Sequence, residues 1–372
     1  MRIASFNVEN LFDRARALDR STWTENGETL ERFAELNELM ERQRYTAAVK
    51  RRLIELVNEL GMAGQDRGPL VQIRKIRGQF VRRPRTRPIE ITADGRGDWV
   101  GWAELRTGPV DERAMRNTGR VLRDVNADVV AVVEAENRII LDEFQRFILE
   151  QVGGQPYAHT MLIDGNDKRG IDVGLLTREG FSVDLMRTHV FDLKPNGFPI
   201  FGRDCPEFAV QTPSGEVVWV LVNHFKSKGY GSTRSNNAKR LAQAEAVAKA
   251  YEMIRSEGFE HVVVAGDLND TPGSAPLAPL VAGTDLRDVD QHPSFDTGEF
   301  DGKGTYKLGN DSQKIDYLLL SPALFERVTA SGLFRMGAWP GSRPPRWTVY
   351  QELVEAIHAA SDHHAIWADI DI

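Results

Sequence analysis

The segment "SDHHAIWADI" (361–370) places Asp362, His363 and His364 directly before an alternation of apolar and polar residues. Apolar side chains at every second position predict a half-buried β-strand. Consecutive side chains of a strand point to opposite faces, so His363 and His364 should not share one site. At least one of these two histidines is therefore expected to have no chemical role.

Other strand-like segments of the chain also end in polar side chains. They are "IASFN" (3–7), "DVVAVVE" (128–134), "VWVLVNH" (218–224) and "HVVVAGDLN" (261–269), while "KIDYLLLS" (314–321) carries Asp316 at its start. Taken singly, a strand-end Asp or Asn is more often a turn former or a helix cap than a ligand. Together with the tail there are six such ends, which indicates one polar site at the rim of a packed sheet.

The polar residues at these ends are chemically coherent. The oxygen donors, which suit a hard cation such as Mg²⁺ or Mn²⁺, are Asn7, Glu134, Asp267, Asn269 and Asp362. Zinc would require several His or Cys ligands instead. His224 and His363 lie beside this set, and an adjacent Asp can orient an imidazole. Such equipment predicts hydrolysis of a phosphoester.

Composition limits the class of protein. The chain has 372 residues, of which 41% are hydrophobic and 27% charged, as in an ordinary globular protein. The single cysteine, Cys205, excludes an internal disulfide and a Cys-based zinc cluster. No apolar run reaches the roughly 20 residues of a membrane span, and the N-terminus lacks the features of a signal peptide. We therefore expect a cytoplasmic protein without a membrane span.

The charge of the chain is unevenly distributed. The formal net charge of −7 argues against general polyanion binding. However, "VQIRKIRGQFVRRPRTRP" (71–88) contains seven Arg or Lys residues and no acid. This segment predicts a local basic surface.

The order of predicted elements indicates an α/β fold. From Asp111 onward, helical and strand-like segments follow one another in a layered α/β or α+β pattern. The preceding region contains one long helical stretch (28–60) and two strand-like segments (70–81 and 98–105). We therefore predict a single domain over 1–372 with an inserted helical and basic β-ribbon segment at about 14–110.

Six motifs of this chain resemble a known family. They are "SFNVENLF", "ADVVAVVEAEN", "VNHFKSKG", "GDLNDTP", "KIDYLLLS" and "SDHHA", in the order found in the endonuclease/exonuclease/phosphatase superfamily, typified by exonuclease III and pancreatic-type deoxyribonuclease. The resemblance covers residues 1–12 and about 111–372 and leaves the insertion unexplained. It implies a four-layered α/β sandwich, with two mixed β-sheets packed face to face and flanking helices.

The resemblance also implies roles for individual residues. Glu134 resembles the principal metal-binding glutamate, and Asn7 resembles the asparagine beside it. Asp267 resembles the residue that positions or deprotonates the attacking water, and Asn269 the one that holds a phosphate oxygen. The implied catalytic set is His224, Asp267, Asn269, Asp316, Asp362 and His363, and the implied metal set is Asn7, Glu134, Asp267, Asn269 and Asp362.

Three of these carried-over roles are more specific. Asp316 resembles a carboxylate that lies near the metal or the partner histidine. His224 resembles the histidine of the deoxyribonuclease-like branch that contacts the scissile phosphate and protonates the leaving oxygen. Asp362 and His363 resemble the terminal Asp–His pair of the family. The resemblance therefore implies that His363 acts in catalysis with Asp362 and that His364 is structural.

Five further residues are candidates for substrate binding. They are Asn166 and Arg169 in "GNDKRG", Arg203 in "FGRDC", and Lys226 and Lys228 after His224. The alternatives are a turn with incidental polarity and solvent-exposed lysines. Glu136 and Asn137 are interpreted as the start of the next helix.

The substrate class remains open between three hypotheses. The leading one is a Mg²⁺- or Mn²⁺-dependent nuclease, because the basic segment would neutralise phosphates of DNA or RNA. The others are a phosphatase or phosphodiesterase of a small or lipid headgroup substrate, and a non-catalytic nucleic-acid-binding module. The basic segment could also be a solvated strand pair balanced by the acidic helix before it. Trp99 and Trp102 either stack on bases or pack in a core.

Overall fold

A computed structural model of the chain describes residues 1–18, 23–167, 169–229, 232–342 and 344–372, without the side chains of 18 and 23–27. The described residues fall into two compact units. The first unit comprises Met1–Phe12, Val110–Lys228 and Ser232–Ile372, and the second comprises Asp13–Pro109. The description of the chain as one domain carrying an insertion stays a prediction. Among the described helices, none is long and apolar enough to cross a membrane.

The secondary-structure elements are numbered in chain order. The helices are α1 (Trp23–Met40), α2 (Ala47–Glu59), α3 (Glu112–Val125), α4 (Arg138–Phe144), α5 (Thr233–Ser256), α6 (Ala278–Val281) and α7 (Pro322–Phe325). The strands are β1 (Arg2–Asn7), β2 (Asp13–Ala15), β3 (Val71–Arg77), β4 (Val81–Arg82), β5 (Glu90–Ile91), β6 (Val100–Leu105), β7 (Thr107–Pro109), β8 (Val129–Ala135), β9 (His159–Leu162), β10 (Asp172–Thr177), β11 (Ser182–Arg187), β12 (Glu207–Gln211), β13 (Val217–His224), β14 (Val262–Asp267), β15 (Arg287–Asp288), β16 (Phe295–Asp296), β17 (Asp316–Leu320), β18 (Val328–Phe334) and β19 (Ala365–Ile370).

The first unit contains two mixed sheets. The seven-stranded sheet has the order β16-β18-β19-β1-β8-β10-β9, and the six-stranded sheet has the order β11-β12-β13-β14-β17-β15. In the first sheet β1 runs parallel to β8 and antiparallel to β19. In the second sheet β13 and β14 are parallel, and β17 is antiparallel to β14. Each sheet therefore has a parallel strand pair near its middle.

These sheets and helices form four layers. One apolar core joins the two sheets, with Val133 from the first and Val220 from the second. On the outer face of the first sheet, Val121 of α3 and Leu141 of α4 are buried in a separate core. Val247 of α5 is buried in a third core on the outer face of the second sheet. The predicted four-layered α/β sandwich is confirmed.

The tail strand follows the predicted alternation. In β19, Ile366 and Ala368 point into the core between the sheets. Trp367 packs with the core on the other face. β19 lies between β18 and β1 in the sheet. The alternation along this strand places His363 and His364, which precede it, on opposite faces of the sheet.

The second unit corrects one expectation. The stretch 28–60, predicted as one helical segment, forms two helices, α1 and α2. Between them the Tyr45 N–H donates to the carbonyl of Asp94 (2.8 Å), and its hydroxyl donates to the carbonyl of Met40 (2.6 Å). The Thr46 side chain caps α2. The contact of Tyr45 with Asp94, which is distant in sequence, thus interrupts the helical pattern. Trp99 packs on Phe80 in the apolar core of the second unit.

We expect Gly266→Ala to lower the free energy of unfolding by about 3 kcal/mol. Gly266 has φ of +124°, and an added Cβ would lie 2.0 Å from the carbonyl oxygen of Asn223 on β13. Urea denaturation measures the loss. The matched control is Gly273→Ala, where a Cβ meets no atom within 4 Å and which should change stability by no more than about 0.5 kcal/mol. Equal losses in both variants would contradict the steric explanation.

Candidate active site

The predicted polar strand ends meet at one edge of the two sheets. Asn7, at the end of β1, is opposite Val133 of β8. On the second sheet His224 of β13 is opposite Asp267 of β14, and Asp267 is opposite Asp316 of β17. Because these strands end at the same rim, side chains that are far apart in sequence become neighbours.

Glu134 reaches this edge through a β-bulge. Its neighbours Val133 and Ala135 pair with Val173 and Asp172 of β10, which leaves Glu134 without a partner in that ladder. Its φ of +64° is uncommon for a residue with a side chain. A bulge re-aims a side chain, and here it brings Glu134 Oε1 to 3.4 Å from His224 Nε2.

Asp267 lies at the centre of the cluster. Its Oδ2 lies 3.6 Å from His224 Nε2 and 3.5 Å from Asn7 Nδ2. Asn269 donates its backbone N–H to Oδ1 (2.8 Å) and its side-chain amide to Oδ2 (2.9 Å). Burial, together with the negative charge of Asp316, raises the pKa of Asp267 well above its ordinary value.

His363 is oriented by Asp316 and not by the adjacent Asp362. The Nδ1 of His363 lies 2.8 Å from Asp316 Oδ2, whereas Asp362 Oδ1 is 3.7 Å from Nε2. Burial alone would lower the pKa of His363, but the carboxylates led by Asp316 outweigh it and raise this pKa well above its usual value. The raised pKa favours the protonated ring, and the predicted catalytic pairing of His363 with Asp362 stays a prediction.

His224 has the opposite electrostatic environment. Burial, followed by the positive charges of Arg203 and Arg169, lowers the pKa of His224 well below its usual value. Its Nδ1 has no hydrogen-bond partner among the described residues. The lowered pKa favours the neutral ring, and the role of His224 as proton donor to the leaving oxygen stays a prediction.

Arg169, Arg203 and Asp167 form a cluster of ion pairs beside His224. Arg203 is buried, and its Nε lies 2.9 Å from Asp167 Oδ2 as an ion pair without hydrogen-bond geometry. Arg169 Nη2 lies 2.7 Å from the same carboxylate oxygen. Burial alone would raise the pKa of Asp167, but Arg169 and Arg203 outweigh it and lower this pKa. The pair Arg169 and Arg203 thus carries more positive charge than Asp167 balances.

The other substrate-binding candidates make local contacts. The Asn166 amide donates to the carbonyls of Val190 (2.7 Å) and Phe201 (3.2 Å). Lys228 Nζ pairs with Asp270 Oδ1 at 2.7 Å. Lys226 is half-buried, and burial followed by Arg169 and Arg203 lowers its pKa to about 7. Substrate binding by these residues stays a prediction.

The donor set fits a divalent cation. Glu134, His224 and Asp267 offer ligand atoms within 4.8 Å of one another, as do Asp267, Asp316 and His363. The first group contains two carboxylates, the kind of oxygen ligand that Mg²⁺ and Mn²⁺ prefer. Asp362 belongs to neither group within the described residues.

Three residues at the site were not recognised in the sequence. The Thr305 hydroxyl donates to Asp316 Oδ2 (2.7 Å), and the Tyr306 ring lies 4.8 Å from the His363 ring. Glu9 accepts the backbone N–H of Asp362 (2.9 Å). None of them ends an apolar strand, and only the proximity of Glu9 to Asn7 in "SFNVEN" could have indicated its place.

The residues after Glu134 have separate roles. Asn137 accepts the N–H of Ile140 (2.9 Å) and caps α4, as its interpretation as a helix start requires. Glu136 instead accepts the N–H groups of Leu11 (3.0 Å) and Phe12 (2.8 Å). Its carboxylate therefore holds the chain after β1 and does not cap the helix.

His364 points away from the cluster. Its Nδ1 accepts from Arg335, its Nε2 donates to the carbonyl of Lys307 (3.0 Å), and its ring packs on Trp347. Burial and the charge of Arg335 lower the pKa of His364 to about 3. A proton on Nδ1 would face the guanidinium directly.

We expect the contribution of His364 to the stability of the protein to decrease as the pH falls below about 6.5. The folded state keeps this ring neutral down to pH about 3, whereas the unfolded chain takes up the proton near 6.5. Between pH 7 and 5 the loss from this group should be about 2 kcal/mol. Urea denaturation at both pH values should show a smaller difference for His364→Asn. An unchanged difference would contradict the assignment, and His292→Asn serves as the control.

Known proteins match more than half of this chain, both in sequence pattern and in fold. A family model described as "Endonuclease/Exonuclease/phosphatase family" matches residues 84–335, which is more than half of the chain. A comparison with curated proteins gives no match.

Several solved structures are similar in fold. A mannosyl-6-phosphatase from Bacteroides thetaiotaomicron is 13% identical, with 70% of this chain and 92% of that chain covered and a TM-score of 0.51. An endonuclease/exonuclease/phosphatase family protein from the same organism is 16% identical, with 70% and 90% covered and a TM-score of 0.49. A truncated Caenorhabditis elegans TDP2 is 19% identical, with 68% and 89% covered and a TM-score of 0.46.

Proposed function

Because this chain belongs to the endonuclease/exonuclease/phosphatase family, we propose that it is a divalent-metal-dependent phosphodiesterase that cleaves nucleic acid. The observation that carries the proposal is the convergence of Glu134, His224 and Asp267 with the Asp316–His363 pair. Carboxylates for a cation, a proton acceptor and an imidazolium are the groups that phosphoester hydrolysis requires.

Asp267 is proposed to accept the proton of the attacking water. Asn269 and Asn7 approach its oxygens and hold the carboxylate in one orientation. Asn269 is further held by its bond to the carbonyl of Phe225 (3.1 Å).

The two histidines are proposed to differ in charge and in role. His363, protonated and fixed by Asp316 at Nδ1, presents Nε2 as a donor to a phosphate oxygen, and its charge stabilises the transition state. His224 is neutral and contacts the phosphate as a hydrogen-bonding group. Asp362 contributes negative charge beside His363.

Glu134 and Asp267 are the proposed ligands of Mg²⁺ or Mn²⁺, with His224 and Asn7 beside them. A bound divalent cation would supply positive charge that stabilises the charge developing on the phosphate. The oxygen-rich donor set favours these ions over zinc. Asn269 and Asp362 remain proposed contributors to this site.

A polynucleotide substrate is supported by the second unit. Its described residues include five exposed cations that have no carboxylate partner: Lys75, Arg77, Arg82, Arg85 and Arg87. By contrast, Arg74 pairs with Glu104 and Arg83 pairs with Asp66. Unpaired cations in a short segment are suited to neutralise successive phosphates of DNA or RNA.

A phosphatase of a small or lipid-headgroup phosphoester is the second candidate. The observation that favours it is the net charge of −7, which opposes the approach of a polyanion outside the basic segment. A non-catalytic binding module is disfavoured, because such a module does not need buried carboxylates paired with an imidazolium.

We expect the protein to cleave plasmid, single-stranded DNA or RNA with Mg²⁺ or Mn²⁺, and EDTA to abolish cleavage. Gel electrophoresis of each polynucleotide and phosphate release from a panel of phosphomonoesters measure the two activities. The metal requirement follows from the clustered carboxylates. Phosphate release from monoesters with every polynucleotide intact would refute the nuclease proposal.

His363→Ala should lower kcat/KM by about 10²- to 10⁴-fold, because it removes the imidazolium from the site. His364→Ala, on the other side of the strand, should lower stability but leave kcat/KM per folded molecule within about threefold, as for a residue away from the reacting groups. Circular dichroism gives the folded fraction. Equal catalytic losses in the two variants would show that the proposed division of roles is wrong.

A further inference from the structure

A projecting β-hairpin of the first unit, residues 189–200 ("HVFDLKPNGFPI"), is not used by the proposed chemistry. Leu193 is paired with Pro199, and the chain turns through Gly197 at φ +81°. The Lys194 N–H donates to the carbonyl of Phe198, and the Ile200 N–H donates to that of Asp192, both at 2.8 Å. The segment is therefore a defined 189–200 hairpin.

The root of the 189–200 hairpin is firmly attached. His189 contacts Asp192 (2.7 Å) within the hairpin and Glu207 (2.8 Å) on β12. Asp204 accepts the backbone N–H of His189 (2.8 Å). The Asn166 amide joins both arms through the carbonyls of Val190 and Phe201. These contacts hold the hairpin in one position.

Three large apolar side chains of this hairpin face solvent. The exposed fractions are 84% for Phe191, 58% for Leu193 and 65% for Phe198. Exposed apolar groups that cluster in this way mark an interaction site. Phe191 precedes the Leu193–Pro199 bridge and Phe198 lies next to it, so both rings are carried by the same short hairpin.

Cations connect the hairpin with the candidate active site. Lys194 and Lys239 form no ion pair with a carboxylate in the part of the chain that the structure describes. They lie close enough for Lys239 to lower the pKa of Lys194, after the larger effect of burial. Lys239 is adjacent to Arg240 on α5, and Arg240 Nη1 donates to the carbonyl of Lys226 (3.0 Å), two residues after His224. Lys239 is therefore close both to Lys194 of the hairpin and to the segment that follows His224.

We propose that the 189–200 hairpin binds unpaired bases of a single-stranded nucleic acid, with the exposed rings of Phe191 and Phe198 stacking on the bases. Lys194 and Lys239 contact the phosphates that lead to the catalytic cluster. Aromatic rings interleaved with cations are the groups that bind single strands without reading sequence. The inference rests on the proposed nuclease function and adds a preference for single-stranded substrate.

Binding of phosphorothioate-linked oligonucleotides to the full chain in Mg²⁺ tests this proposal, because cleavage of this backbone is slow. Fluorescence anisotropy is measured with a labelled single strand of about 15 nucleotides and with its blunt duplex. Phe191→Ala and Phe198→Ala should each raise the single-strand Kd by about 5- to 100-fold. The Kd for the duplex should change by less than about twofold, since paired bases are not available for stacking.

Phe147→Ala is the matched control, because Phe147 is 56% exposed and lies outside the hairpin. It should leave both Kd values unchanged. Lys239→Gln should reduce the slope of log K against log salt by about 0.7, the value for one phosphate contact on a single strand. Thermal denaturation checks that each variant is folded.

Three outcomes would overturn the proposal. They are unchanged single-strand binding in both phenylalanine variants, equal losses on single strand and duplex, and a hairpin-dependent loss of binding to phosphatidylserine vesicles with oligonucleotide binding intact. Cleavage of polynucleotides by both variants at the wild-type KM would refute the hairpin role alone. Absence of any polynucleotide cleavage by the wild type, with hairpin-dependent binding retained, would refute the nuclease function alone.

Discussion

The packing of Glu134, Asp267 and Asp316 at one sheet edge is the constraint on which the site depends. Three carboxylates in a poorly hydrated place repel one another, and burial makes each negative charge costly. The His363 imidazole contacts Asp316, and the side-chain amides of Asn269 and Asn7 donate to Asp267, which offsets part of this cost. The remaining negative charge is what makes the place suitable for a divalent cation. Two packed sheets hold these groups close despite their repulsion.

Much of this arrangement could be predicted from the sequence, because the relevant signals are local. An apolar run that ends in a carboxylate or an imidazole shows both the strand and its functional end, as at His224 and Asp267. The alternation after His363 likewise separated it from His364. What local patterns could not show depends on distant partners. Only the family resemblance placed Asp316 near the metal or the partner histidine, because no local pattern links His363 to a carboxylate 47 positions away. The break between α1 and α2 depends on Tyr45 and Asp94 in the same way.

The two units differ in how their charges are distributed. In the first unit, Arg169 and Arg203 lie near the carboxylates of the candidate site and offset part of their negative charge. Among its described residues, the second unit has five exposed cations without carboxylate partners, namely Lys75, Arg77, Arg82, Arg85 and Arg87. A negative net charge and an affinity for phosphates are therefore compatible in one chain, because the net charge of the whole chain does not show the local excess of positive charge in residues 71–88. Salt would weaken only the contacts of exposed cations, since buried pairs are screened much less.

At the bulge, the backbone conformation of Glu134 lowers the stability of the protein, whereas its carboxylate is proposed to serve the reaction. Its left-handed backbone costs a residue with a Cβ roughly 1–2 kcal/mol, a cost that glycine would not have. The ladder on either side of the bulge is already complete, so the sheet does not need the carboxylate. Selection for a sturdier molecule alone would replace this glutamate with glycine. The proposed function gives a reason for this penalty, because the carboxylate of Glu134 lies 3.4 Å from His224 Nε2.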